Sequence, residues 1–181
     1  MANNVYSRIQ VFGNPEVINY MNEKHKEYSN LDSYWQFKVF YDGTPDSLNR
    51  QWMFENVGPK RIGFEDYYSG TEEAEITTES AGCYPREFIQ HLTKILVKID
   101  PLVEINGSYE DEGYQFVGGF GSSARGFEYI EDDEVDIHMP DDDSESYDEK
   151  MDEFYDLVEE IRDNFQLDAA NAVDPKSCKI C

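Results

Sequence analysis

The segment at residues 85–99 restricts the possible folds more than any other part of the chain. Its apolar residues recur at spacings of three and four and therefore lie on one face of a helix: Phe88, Ile89, Leu92, Ile95, Leu96 and Ile99. Pro85 suits the first turn of this helix, and Asp100-Pro101 ends it, because the residue before a proline is disfavoured in the helical region. An apolar face of this width must be covered by a second layer of secondary structure.

Strand-like segments on both sides of this helix supply that layer. Before it, an amphipathic helix is predicted after Asn14-Pro15, and strands are predicted at 5–12, 34–41, 61–67 and 74–79. After it, strands at 103–109 and 114–120 flank the sequence EDEG at 110–113, which is typical of a hairpin turn. Two amphipathic helices interleaved with antiparallel strands predict an α+β fold. The expected architecture is a ferredoxin-like antiparallel sheet with helices on one face, plus an acidic C-terminal helix.

Three sequence motifs occur in an order that resembles a known family. They are NVGPK at 56–60, AGCYP at 81–85 and YEDEGYQFVG at 109–118. Together they resemble the YubB-type ferredoxin-like domain of phage and conjugative-plasmid proteins, over about residues 1–125. The resemblance implies the ferredoxin-like fold and an origin in a mobile element, and it implies no catalytic residue.

The C-terminal third differs from the rest of the chain in its charge. Residues 128–163 contain 18 of the 39 Asp and Glu against one Lys and one Arg, and so carry −16 of the net charge of −24. A helix is predicted from about residue 146 to 165, with apolar residues on one side: Met151, Phe154, Tyr155, Val158, Ile161 and Phe165. Because this apolar stripe needs a surface to pack on, we expect the helix to dock on the domain. The predicted division is a ferredoxin-like domain at 1–125, an acidic extension at 126–165 and a tail at 166–181.

A surface of this charge favours a basic partner and repels nucleic acid. Since a helix rises about 1.5 Å per residue, carboxylates at most exposed positions approach the charge density of duplex DNA, about one per 1.7 Å. Together with the mobile-element origin that the resemblance implies, this charge predicts a non-enzymatic phage or mobile-element accessory protein. It would bind and inhibit a basic host protein, such as a defence or nucleic-acid-binding protein, through a DNA-mimicking surface and without a cofactor. The predicted partner-binding residues are Glu131, Asp132, Asp133, Glu134, Asp136, Asp141, Asp142, Asp143, Asp148, Glu149, Asp152, Asp156, Glu159, Glu160 and Asp163.

Composition also bears on location. No apolar run approaches the roughly 18 residues that a membrane span needs, and the start of the chain lacks the pattern of a secretory signal. The three cysteines, Cys83, Cys178 and Cys181, do not form an even disulfide framework, which fits a reducing compartment. We expect a soluble protein of the host cytoplasm.

Two alternative functions stay open at this stage. The first is an enzyme or metal-dependent module, with the hairpin at 110–113 and His91 near its site, and with His25 and His138 as further candidate bases. None of the three histidines has a Ser or Cys partner in a recognisable motif. Oxygen ligands occur at 141–145, but an EF-hand loop that began at Asp141 would lack its Gly and its final Glu. The second is a virion or assembly component whose acidity only aids solubility.

Three further segments are interpreted without a catalytic or ligand-binding role. The aromatic run at 34–41 is predicted to pack in the core and not to stack on bases, because basic residues are few. The glycines at 118, 119 and 121 lack a nucleotide-binding pattern and indicate a bulge or a close-packed edge. Cys178 and Cys181 have the spacing of a zinc pair, but a zinc site needs four ligands, so an exposed tail with free thiols is expected.

Overall fold

Six antiparallel strands form the central sheet of the structure, a computed structural model that describes residues 3–43, 49–132 and 147–173. In chain order the strands are β1 (Asn4–Phe12), β2 (Ile62–Ser69), β3 (Glu73–Ala81), β4 (Glu104–Asp111), β5 (Val117–Ser123) and β6 (Gly126–Asp132). Their order across the sheet is β2-β3-β1-β4-β5-β6, and each neighbouring pair is antiparallel.

Four α-helices and one 3₁₀-helix accompany the sheet within the described residues. They are α1 (Pro15–Tyr28), the 3₁₀-helix (Ser33–Phe40), α2 (Arg50–Asn56), α3 (Arg86–Leu96) and α4 (Tyr147–Val173). With the 3₁₀-helix and α2 as an insertion, the elements from β1 to β4 follow the β-α-β-β-α-β order of a ferredoxin-like fold. Strands β5 and β6 extend the sheet beyond β4. The predicted α+β class with a ferredoxin-like antiparallel sheet is confirmed.

The core lies between the sheet and the helices α1 and α3. Val5 and Ile9 of β1 and Val17 and Met21 of α1 belong to one buried cluster. On α3, the predicted apolar face is confirmed by the fully buried side chains of Phe88, Ile89, Leu92 and Leu96. Burying a side chain of this size stabilises the fold by roughly 1.5–3 kcal/mol, so this helix–sheet layer is the main source of stability.

The strand predicted at 34–41 is wrong, because this segment forms the 3₁₀-helix Ser33–Phe40. The Asp32 side chain accepts a hydrogen bond from the Tyr34 amide at 3.2 Å and so starts a helical turn. Phe37 and Phe40 are three residues apart, which places both on one side of a 3₁₀-helix, and both are buried. Tertiary packing of this aromatic pair therefore overrides the β propensity of the segment. The expectation that the aromatic run packs in the core is confirmed for Phe37 and Phe40 and is wrong for Tyr34 and Trp35, which are exposed.

A hairpin is present between β4 and β5 as predicted, but its turn lies at 112–116 and not at 110–113, and one buried carboxylate organises it. Asp111 has no exposed surface. Its Oδ1 accepts hydrogen bonds from the amides of Gln115 and Phe116, and its Oδ2 accepts from the Gly113 amide and the Asn3 side chain, both at 3.3 Å. A single side chain thus pairs the polar groups of the turn and ties the turn to the start of β1.

The carboxylates of Glu65, Asp66 and Glu79 are close enough on β2 and β3 to repel one another. Burial, and then the charges of Glu79 and Asp66, raise the pKa of Glu65. The folded state therefore binds the proton of the Glu65 carboxyl more tightly than the unfolded chain does. Protonation of this carboxyl stabilises the fold. That contribution is lost as the pH rises through the folded pKa.

We expect Glu65→Gln, which resembles the protonated form, to raise Tm at pH 7 by about 1 °C. The difference from the wild type should vanish below about pH 4, where the carboxyl is protonated in both states. Thermal unfolding of both proteins, followed by circular dichroism at pH 7 and below about pH 4, measures the difference in Tm. A lower Tm for the variant at pH 7 would contradict the prediction.

Candidate partner-binding surface

Helix α4 packs on the face of the sheet opposite α1 and α3, against β4, β5 and β6. Side chains of β5 alternate between the two faces. Ser122 lies on the α3 side, where its Oγ is 2.7 Å from Thr93 Oγ1. Gly119 and Gly121 lie on the other side, and a Cβ on Gly119 would be only 2.2 Å from the backbone nitrogen of Gln166. The two glycines thus let the backbone of α4 lie directly on the strand.

Side chains along α4 fix it to the sheet at several points. Phe154 is buried and meets the Tyr114 ring edge-on, with the ring centroids 4.9 Å apart. One helical turn later Val158 is also buried. Arg162 turns inward, and its Nη1 forms a 3.0 Å ion pair with Glu110 Oε2 in a largely buried setting. Helix α4 is therefore docked, as its apolar stripe predicts.

The helix is longer than the sequence indicates. It begins at Tyr147, close to the predicted start, but continues to Val173, so the tail predicted from residue 166 is wrong for residues 166–173. Ala169 and Val173 are buried and extend the sheet-facing side of the helix. None of the described helices is both long enough and apolar enough to cross a membrane.

The structure brings seven of the predicted partner-binding residues together on the exposed side of α4. They are Asp148, Glu149, Asp152, Asp156, Glu159, Glu160 and Asp163, and all are solvent-exposed. Two further exposed carboxylates of this helix, Glu153 and Asp168, were not predicted as site residues. Both are acidic and lie in the same helical segment, and these two properties could have identified them from the sequence.

Of the other predicted site residues, Glu131 does not share this surface. Glu131 is exposed on β6 opposite Gly118, and it lines a cavity of about 330 Å³ with Tyr84 and Arg86 on the α3 side of the sheet. Burial, and then the charge of Glu131, raise the pKa of the Tyr109 hydroxyl. Asp132 ends β6. The remaining six lie outside the described residues: Asp133, Glu134, Asp136, Asp141, Asp142 and Asp143.

The carboxylates of α4 lie on its exposed side, whereas Arg162 lies on the side that faces the sheet. Eight carboxylates occur from Asp148 to Asp163, a stretch of 16 residues that spans about 24 Å. Lys150 is the only exposed cation of the helix, because Arg162 faces the sheet. The carboxylates therefore occur about every 3 Å along the axis, close to the 3.4 Å phosphate spacing of one DNA strand and about half the density of the duplex.

The candidate catalytic groups have structural partners. The His91 ring stacks on Tyr41 with centroids 4.0 Å apart, and its Nε2 lies 2.8 Å from the Phe40 carbonyl oxygen. The His25 ring stacks on Tyr67 at 4.3 Å. In the hairpin, Glu110 pairs with Arg162.

The candidate metal and thiol groups fall largely outside the described residues. His138, the oxygen ligands at 141–145, Cys178 and Cys181 all lie there. Within residues 3–43, 49–132 and 147–173, no group of three His, Cys, Asp or Glu side chains is arranged to hold a metal. Cys83 is a free, half-buried thiol, and burial followed by the charge of Glu87 raises its pKa.

Comparisons with known proteins add little to this geometry. No protein-family model matches the chain, and no curated protein is similar to it. Among solved structures, it is similar to a chain in the crystal structure of A. aeolicus tRNASec in complex with M. kandleri SerRS, at 13% sequence identity and a TM-score of 0.31. The similarity covers 91% of this chain and 31% of that one. A TM-score this low carries no argument about fold or partner.

Proposed function

We propose that this chain is a non-enzymatic binding protein that engages a basic protein through the acidic face of α4. The acidic face consists of Asp148, Glu149, Asp152, Glu153, Asp156, Glu159, Glu160 and Asp163. The observation that supports the proposal is the separation of charge on a docked helix. Eight carboxylates point outward while Arg162 is held inward by Glu110.

The docking of α4 matters for specificity. Because the helix rests on Gly119 and Gly121, its carboxylates are displayed as one fixed surface. Such a surface steers a basic partner toward it and fixes how the two proteins align. A mobile acidic tail, in contrast, would lose conformational entropy on binding. A net charge of −24 also exceeds the range of about 2–8 charges that solubility asks of a small domain.

The partner class that this surface favours is a basic protein that itself binds nucleic acid. A spacing of about 3 Å between carboxylates lets the acidic face occupy a site that receives one phosphate strand. Binding there would block the partner's own substrate, which makes the chain an inhibitor. Its origin in a phage or other mobile element, and its action on a host protein, are part of the same proposal and rest on the family resemblance.

Affinity capture with the immobilised full-length chain tests the proposal. The variant replaces Asp156, Glu160 and Asp163, which share one side of α4 and make no ion pair within the described residues, with Asn, Gln and Asn. The control replaces three exposed carboxylates elsewhere, Glu16, Glu23 and Glu72, with Gln. Both proteins change charge by the same amount, so a difference between them reports the position of the charge.

We expect the wild type and the control to capture basic nucleic-acid-binding proteins that elute with salt and are displaced by duplex DNA. The α4 variant should bind the captured protein about tenfold more weakly, since three exposed charges at about 0.5 kcal/mol each together contribute about 1.4 kcal/mol. Mass spectrometry identifies the captured proteins, and surface plasmon resonance measures their affinity. Equal loss in the variant and the control, or capture of no basic protein, would contradict the proposal.

A further inference from the structure

A second surface of the protein carries the opposite charge. Arg50, Lys60 and Arg61 line a cleft of about 850 Å³, together with the exposed rings of Tyr34 and Trp35. These residues come from α2, the segment before β2 and the 3₁₀-helix. The sequence does not suggest such a site, because the aromatic and basic residues are separated along the chain. In a protein with 39 Asp and Glu against 15 Lys and Arg, three cations around one cleft stand out against the average charge.

The aromatic side of the cleft is held in place by cations. The Lys38 ammonium lies 4.0 Å from the centre of the Trp35 ring, and the Arg61 guanidinium lies 5.2 Å from that of Tyr34. Arg61 is itself fixed by a 3.0 Å hydrogen bond to Asn4 Oδ1. Trp35 and Tyr34 are 40% and 49% exposed, so each residue keeps accessible surface beside the cleft.

Two of the three cations of the cleft have no acidic partner among the described residues. Arg50 and Lys60 are exposed and form no ion pair with any described residue. Arg61 pairs with Glu79 at 3.3 Å. Among the described residues, Glu112 is the one carboxylate in the lining, and its Oε2 accepts a hydrogen bond from the Asn4 amide at 3.3 Å. Arg50 and Lys60 therefore offer donors to an anion from outside.

We propose that this cleft binds a nucleoside phosphate, with the base stacked on Trp35 and the phosphate held by Arg50 and Lys60. Stacking rings beside unpaired cations suit a ligand that joins an aromatic ring to an anion. The cleft volume falls in the range of about 300–1,000 Å³ that small-molecule sites occupy. A single nucleotide carries about two charges, whereas an oligonucleotide adds one per residue and is repelled by the net charge of −24.

Isothermal titration calorimetry of the full chain tests this proposal with AMP, GMP, CMP and UMP. Adenosine and inorganic phosphate represent the two halves of the ligand, and a ten-residue oligothymidylate represents the polymer. We expect each nucleotide to bind at least tenfold more tightly than phosphate, and AMP at least tenfold more tightly than adenosine, because stacking and ion pairing add. The nucleotides should also bind more tightly than the oligothymidylate.

Three variants assign the contacts. Arg50→Gln and Lys60→Gln should each weaken nucleotide binding about tenfold, since each removes a charge-assisted hydrogen bond. Trp35→Leu should weaken binding of nucleotides but not of phosphate. Lys98→Gln, which removes an exposed charge from the segment after α3, is the matched control and should bind as the wild type does.

Circular dichroism and Tm confirm that each variant is folded before titration. Nucleotide binding that matches phosphate alone, or that survives both cation variants, would overturn the proposal. Tighter binding of oligothymidylate than of any mononucleotide would also overturn it and would assign the cleft to single-stranded nucleic acid.

Discussion

Replacing Gly119 with alanine will lower the free energy of unfolding by about 3 kcal/mol, the upper part of the range for overpacking a close contact. The added Cβ would lie 2.2 Å from the Gln166 nitrogen and 2.3 Å from the Phe165 carbonyl carbon. Both atoms belong to the α4 backbone, so no side-chain rotation can make room. Alanine is otherwise no worse than glycine in a strand, because glycine loses more backbone entropy on folding. The loss therefore reports the helix contact.

Urea denaturation of Gly119→Ala beside Gly113→Ala measures this effect. Gly113 is the matched control, since a Cβ there would meet nothing closer than 3.5 Å and the amide donor to Asp111 remains. We expect the control to stay within about 0.5 kcal/mol of the wild type. Hydrogen exchange should show faster exchange of the α4 amides in Gly119→Ala while the α3 amides change less. A Gly119→Ala protein as stable as the wild type would show that α4 does not rest on β5.

This variant also links fold to function. If the acidic face acts as a fixed surface, loosening α4 should weaken capture of a basic partner even though every carboxylate is retained. If only the amount of negative charge mattered, Gly119→Ala would capture the basic partner as well as the wild type does. Gly119→Ala and the carboxylate variants thus separate the position of the charge from its amount.

The sequence predicts best those elements whose signal is local. The stripe on α3 recurs within one helix, and the face that it predicts is the face that is buried. On α4 the predicted apolar side is buried at Phe154 and Val158, but Tyr155, which was assigned to the same side, is exposed. Beyond Phe165 the buried residues include Ala169, which is too small to mark an apolar stripe. Its burial depends on the approach of the helix to Gly121, and this approach is a tertiary contact that no local pattern shows.

Residues that meet only through tertiary structure were the hardest to predict. The close packing inferred for the glycines near residue 120 is present, but it lies on the interior strand β5 and not at an edge, and its partner, α4, could not be identified from spacing. Glu131 was grouped with the helix carboxylates because it is near them in sequence, and strand register turns it to the opposite face of the sheet. The cleft beside Trp35 combines Arg50 and Lys60 from separate elements, so neither composition nor periodicity could reveal it.

Asp111→Ala will lower the free energy of unfolding by about 3 kcal/mol. The carboxylate accepts four hydrogen bonds, three from turn amides and one from Asn3. Removing a buried acceptor leaves donors unpaired at roughly 1–3 kcal/mol each, and water that enters the turn recovers part of this cost. The hairpin connects β4, in the ferredoxin-like part of the sheet, to β5, which carries α4. Loss of hydrogen bonds in the turn therefore also destabilises β5, the strand on which α4 and its acidic face rest.

Glu112→Ala is the matched control for Asp111→Ala, because it removes a carboxylate from the next residue, which is exposed. We expect it to change stability by no more than about 0.5 kcal/mol. Asp111→Asn should fall between the two, since its amide oxygen still accepts from the Phe116 amide while its NH₂ faces other donors. Urea denaturation of the three variants gives this order. A loss below about 1 kcal/mol for Asp111→Ala would mean that strand pairing alone holds the turn, and then the buried carboxylate would not explain the hairpin.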